Sequence, residues 1–164
     1  MRISRAEEQG IRLALRLAES GGQMTLGELA DLEHLPEPTV AKILAKLRRA
    51  GVARAMRGRK GGYELVDSPE ETTVARLVRA LGSTRTPGRF CQAGHVNAVE
   101  CHHSGDCSLR SVWDFLELRM FQVLENTSLA DLQKTRRQID VHLEGLWLPG
   151  EVATQENETS RGTR

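Results

Sequence analysis

The stretch LPEPTVAKILAKLRRAGVARAMRGRKGGYEL, residues 35–65, leaves few folds open to this chain. Pro36 and Pro38 are tolerated only in the first turn of a helix, because proline lacks the N–H that later turns must donate. Val40, Ile43, Leu44 and Leu47 then recur at helical spacing. Gly51, after Ala50, is a natural residue to end that helix. Behind it, VARAM and GYELV are short extended runs flanking Arg57-Gly58-Arg59-Lys60-Gly61-Gly62. Glycines at such a join supply the positive φ angles of a tight connection, so the pair predicts a β-hairpin with a basic tip.

The preceding sequence supplies two more helices. Residues 4–19 place Ile11, Ala14, Leu15 and Ala18 at helical spacing. In TLGELADLEHL, Thr25 and Glu28 make a Thr-x-x-Glu capping box, with Leu26, Leu29, Ala30 and Leu32 expected to face inward. After the hairpin, SPEETTVARLVRALG predicts a short helix ending near Gly82, and a longer one begins at Ser108. Helix, helix, turn, basic helix, basic hairpin is the order of a winged helix–turn–helix.

Charge points the same way. Residues 1–90 carry 16 Lys/Arg against 11 Asp/Glu, while residues 91–164 carry 7 against 11. From Pro38 to Tyr63 there are eight basic residues and no acidic one, and polyphosphate is the commonest partner of such a face. Thr39, Lys42, Lys46 and Arg49 are expected along the outward face of the third helix. Thr39, near its N-terminal end, suits a base edge, and Lys46 and Arg49 suit phosphates. Arg57, Arg59 and Lys60 at the hairpin tip would meet phosphates or a minor groove. The glycine run is not a nucleotide-binding P-loop, since it lacks the Gly-Lys-Ser/Thr ending and joins two strands. A solvated surface with incidental lysines is the plainer alternative.

On these residues the chain resembles the IscR/NsrR family of bacterial winged-helix regulators. The resemblance runs over about residues 1–132, from the opening MRIS through the wing Arg57-Gly58-Arg59-Lys60-Gly61-Gly62-Tyr63 to SLADL at 128–132. It implies a homodimer that binds a pseudo-palindromic operator on double-stranded DNA, most often as a repressor. It also implies an iron–sulfur cluster, 2Fe–2S or 4Fe–4S, on Cys91, Cys101 and Cys107; the family does not fix the type for this chain, and 2Fe–2S is slightly favoured here. In some relatives an acidic residue near the N-terminus of the other subunit completes the coordination; here Glu8 is the candidate, with Glu7 beside it. The spacing C-x9-C-x5-C departs from the family, in which about five residues in the first gap are more usual.

The residues of that segment leave other chemistries open. Thiolates suit iron–sulfur clusters, zinc and Cu(I), and Gly94 and Gly105 allow a loop to gather them. His95, His102 and His103 are local candidates for a fourth ligand. A Cys₃His zinc site lacks the usual C-x₂₋₄-C pair. A metal-free thiol switch needs only reversible oxidation. Cys107, His103 and Asp106 offer the residue types of a zinc-stabilised or thiol redox enzyme, but without a substrate cleft the reading is that the chain is not an enzyme. Three cysteines, an odd number, do not suggest a disulfide scaffold.

The helix from Ser108 is apolar on two sides. Leu109, Val112, Trp113, Leu116, Met120, Val123 and Leu124 form one stripe, and Phe115, Leu118 and Phe121 a second. One small domain cannot satisfy both, which argues for packing against a second copy. The expected fold is mainly α with a small β-hairpin, a winged helix–turn–helix plus a long dimerisation helix. Residues 1–82 form the DNA-binding domain, 83–107 the cysteine-bearing loop and 108–133 the dimerisation region. A C-terminal extension covers 134–164, in which residues 134–148 add a short helix or dock along the dimer, with disorder from about 149. No run reaches the ~18 apolar residues of a membrane span, and MRISRAEEQG is too charged for a signal peptide, so a cytoplasmic location is expected.

Overall fold

The structure, a computed structural model, describes residues 3–58, 61–82 and 108–147. Arg59, Lys60, Cys91, Cys101, Cys107, the loop histidines and the tail beyond 147 lie outside the described residues.

Helix α1 spans Arg5–Ser20 and starts on a capping box that sequence reading missed. The Ser4 side chain accepts from the Glu7 N–H, and the Glu7 carboxylate takes the Ser4 N–H at 2.6 Å. Its buried stripe is Glu7, Gly10, Leu13, Ala14, Leu17 and Ala18. The phase therefore differs from the expected one. Ile11 and Leu15 lie half-buried on the flank of the core, because Leu13 and Leu17 take its centre.

Helix α2, Leu26–Glu33, has the predicted Thr25–Glu28 capping box. Leu29 and Ala30 are buried, but Leu32 is exposed. Helix α3, Glu37–Arg49, begins after Pro36 as N-cap, with Pro38 in its first turn as expected. It buries Val40, Ile43, Leu44 and Leu47. Strands β1, Ala53–Met56, and β2, Gly62–Leu65, pair antiparallel with Ala53 opposite Leu65 and Met56 opposite Gly62.

Helix α4 covers only Val74–Ala80. Residues 68–73, predicted helical, form a turn over 69–71 and a bridge residue at Thr73 instead, because their polar groups have other partners. Thr72 Oγ1 bonds the Ser68 carbonyl, Thr73 caps α4, and the Thr72 carbonyl accepts from Leu129 N at 2.9 Å. Helices α5, Ser108–Glu125, α6, Leu129–Leu132, and α7, Arg136–Trp147, complete the described chain.

One core joins α1, α2, α3, β1, α4 and α6. Leu13, Leu29, Val40, Leu44, Leu47, Leu77 and Leu129 are fully enclosed in it. Each such leucine contributes roughly 1.5–3 kcal/mol. Residue 129, placed by sequence with the dimerisation region, is thus part of the N-terminal domain's core. The chain reaches it through a short antiparallel bridge between Thr73 and Ser128, with Val74 N donating to Thr127 O at 2.8 Å.

Asp131 holds the start of α6. Its carboxylate accepts from Lys134 Nζ at 2.6 Å, Ser128 N at 2.9 Å and Ser128 Oγ at 2.7 Å. Lys134 first, then these Ser128 bonds, keep its pKa well below the usual carboxylate range. A depressed folded-state pKa stabilises above the unfolded value near ~3.9 and is lost as pH falls through the folded value. Melting temperature should therefore drop on acidification below about pH 4, and Asp131→Asn should reduce that drop while lowering stability at neutral pH. Among the described residues no helix is long and apolar enough to cross a membrane.

Candidate nucleic-acid interface

With 3.6 residues per turn, the row of α3 farthest from its buried stripe is Pro38, Lys42, Ala45 and Arg49. Lys42 and Arg49 are exposed there, and Arg49 Nε donates back to the Ala45 carbonyl at 3.3 Å. Arg48, which the sequence reading left out, is exposed on one flank. Thr39 and Lys46 occupy the other flank and are half-buried. Lys46 departs most from expectation: its Nζ donates to the Leu81 carbonyl at 2.9 Å, toward α4 rather than outward.

The hairpin is fastened to the rest of the domain. Tyr63 N donates to Met24 O at 2.7 Å and Met24 N to Tyr63 O at 2.9 Å, an isolated antiparallel bridge beside the two-stranded sheet. Gly62 makes this approach possible: a Cβ there would fall 2.5 Å from Met24 O. Arg54 is paired with Glu64 across the strands at 2.6 Å. Arg57 is exposed at the end of β1 beside the tip.

A buried carboxylate fixes α1 to α2. Glu33 Oε2 accepts from Arg12 Nε at 2.5 Å and Oε1 from Arg16 Nε at 2.6 Å, with the Glu33 side chain only 3% exposed. Sequence reasoning missed this clamp. Its signal was Glu33 four residues after inward-facing Leu29, opposite two arginines one helical turn apart. Glu8 is exposed on α1 and borders a cleft of about 230 Å³ with Arg5, Gln9, Arg12 and His34. Glu7 is committed to the Ser4 cap, so of the two adjacent glutamates Glu8 is the one presented outward. Among the described residues no three His, Cys, Asp or Glu side chains gather as a metal site.

Helix α5 is held at one end. Phe121 is buried under Arg79, whose guanidinium lies 5.7 Å from the ring centre, and Arg79 pairs with Glu125. Toward the other end Leu109, Val112, Phe115, Leu116 and Leu118 are each 46–58% exposed.

Comparison with known proteins agrees with this geometry. The family model Rrf2, described as an iron-dependent transcriptional regulator, matches residues 3–135. The HTH-type protein slr0846 of Synechocystis sp. is 32% identical over 120 residues, 73% of this chain and 78% of that protein. The HTH-type transcriptional regulator IscR of Cereibacter sphaeroides is 29% identical over 122 residues, 73% of this chain and 77% of the relative. The solved structure of CymR, the global cysteine regulator of Bacillus subtilis, has a TM-score of 0.64 at 26% identity, covering 80% of this chain and 95% of that one. These are regulators of transcription, not enzymes, and their fold has the winged helix found here. The chain belongs to the Rrf2 family of helix–turn–helix transcriptional regulators.

Proposed function

We propose that the chain is a homodimeric, cytoplasmic repressor whose grip on a pseudo-palindromic operator is set by an iron–sulfur cluster on Cys91, Cys101 and Cys107. Lys42, Arg49 and Thr39 on α3, with Arg57, Arg59 and Lys60 of the wing, form the DNA face; Lys46 was also expected to touch phosphate. The donor set fits the group: three thiolates suit iron, and exposed Glu8 is free of the capping duty that occupies Glu7. When bound, such a cluster supplies a centre whose oxidation, nitrosylation or loss alters the thiolates around it.

One observation carries the reading. Helix α5 begins at Ser108, directly after the third cysteine, while its far end is bonded to α4 through Phe121, Arg79 and Glu125. A change at Cys107 therefore acts on a helix that stands between an apolar face and the DNA-binding domain. Altered spacing or tilt of two recognition helices would follow. Redox state, nitric oxide or iron supply is the expected signal.

Anaerobic purification tests it. Brown protein with matched iron and inorganic sulfide is expected, Cys101→Ala should abolish the colour, and Glu8→Ala should alter the spectrum. Colourless protein with stoichiometric zinc would overturn the cluster. A second reading, a metal-free thiol switch, is favoured by the likeness to CymR of Staphylococcus aureus, whose structure is known in an oxidized form. It predicts metal-free protein whose operator affinity changes reversibly on thiol oxidation.

A further inference from the structure

Lys46 belongs to the recognition helix, yet it is bound to another part of the domain. Its Nζ donates to the carbonyl of Leu81, the C-cap residue of α4. Carbonyls at a helix end lack intrahelical donors, and a cation there meets both the open acceptor and the negative pole of the helix. Leu81 is itself fixed. It is 3% exposed, and its side chain fills the notch left by Gly10 of α1, where a Cβ would lie 2.4 Å from Leu81 Cδ1. Gly82 then turns the chain with a φ of 101°, and a Cβ there would be 3.6 Å from Lys46 Nζ. In sequence, the cysteine-bearing segment follows at once.

We infer that Lys46 is a positioning residue rather than a phosphate contact: it ties the C-terminal half of α3 to the exit of α4. The inference rests on the reading of α3 as the DNA-contacting helix. Three features support it. The lysine is on the half-buried flank, while Lys42 and Arg49 hold the outward row. The residue that supplies its acceptor is itself held, by the packing of the Leu81 side chain against Gly10 of α1. Moving Nζ to a phosphate would leave a partly buried carbonyl without its donor, a cost that exposed Lys42 does not incur. Where α4 ends thus sets where the last turns of α3 sit, and a displacement at residues 81–82 is passed to the DNA face through one hydrogen bond.

The test uses the full-length protein and a duplex enriched by it from a random-sequence pool. Operator affinity is followed against salt for wild type, Lys42→Ala, Lys46→Ala and Lys46→Arg, with amide exchange of each free protein. Loss of one phosphate contact in Lys42→Ala should reduce the slope of log K against log salt by ~0.9. Lys46→Ala should weaken binding about fivefold at every salt concentration and leave the slope unchanged. Exchange at Ala80, Leu81 and Gly82 should quicken while that of α1 stays constant, which a general loss of stability would not produce. Lys46→Arg keeps a donor for Leu81 and should restore affinity and exchange. A slope reduced in Lys46→Ala as much as in Lys42→Ala overturns the inference alone, as does unchanged exchange at residues 80–82. A wild type with no salt dependence overturns the DNA-face reading and this inference together.

Discussion

Replacing Val112 and Leu116 together by glutamate should leave the proposed dimer as monomers and weaken operator binding by at least ~100-fold. The two side chains are 52% and 46% exposed, one turn apart on the stripe that also holds Leu109 and Trp113. Burying such a side chain in an interface is worth roughly 1.5–3 kcal/mol, and a two-fold axis counts each position twice. Glutamate removes that gain and brings like charges together across the axis. DNA affinity then suffers because joined reading heads bind the second half-site at an effective concentration near ~1 mM, an advantage separate monomers lose. The fold itself should survive, since the end of α5 that enters the domain does so through Phe121 and the Thr73–Ser128 bridge, more than one helical turn beyond both substitutions. Light scattering after size exclusion and a thermal melt check the two halves of the statement. A variant that stays dimeric with operator affinity within tenfold of wild type would show that this face is covered by something other than a second copy.

The elements legible in the sequence are those whose ends are written in backbone chemistry. Pro36, Pro38 and Gly51 bracket α3 because proline and glycine limit φ and hydrogen bonding wherever they occur. Thr25 and Glu28 identify the start of α2 for a similar local reason. What escaped depends on residues distant in sequence. The phase of α1 was misread because its buried stripe contains Glu7, which serves a cap, and Gly10, which receives Leu81; neither looks apolar. Lys46 fits an outward face by period alone, but its partner is 35 residues away. Residues 128–132 fall by sequence within the 108–133 dimerisation region, whereas the main-chain bonds from Leu129 N to Thr72 O and from Val74 N to Thr127 O draw Leu129 into the core. For the candidate site the sequence supplies donor types and helix order. The geometry of the cysteines lies outside the described residues, so their roles rest on resemblance and on the family match.

Gly62→Ala tests the wing where the structure leaves least room. The added Cβ would meet Met24 O at 2.5 Å and Met24 C at 2.7 Å, both backbone atoms, so no rotamer change relieves the contact. Either β2 or the α1–α2 link must move. The paired bonds between Tyr63 and Met24 break first, because they close the same gap at 2.7 Å and 2.9 Å. Overpacking at about 1–3 kcal/mol, with two hydrogen bonds at about 0.5–1.5 kcal/mol each, gives an expected destabilisation of roughly 2–6 kcal/mol. That is a large part of the ~5–15 kcal/mol holding a typical domain together. Below its melting point the variant should still bind DNA more weakly, about tenfold, because Arg57 is no longer held in register with Lys42 and Arg49. Gly22→Ala is the matched control: nothing lies within 4 Å of a Cβ at that position, and its stability should stay within ~0.5 kcal/mol of wild type. Denaturant unfolding of the two variants decides the matter. If Gly62→Ala unfolds with Gly22→Ala, the sheet is not pinned to Met24, and the wing's place beside α3 must come from other contacts.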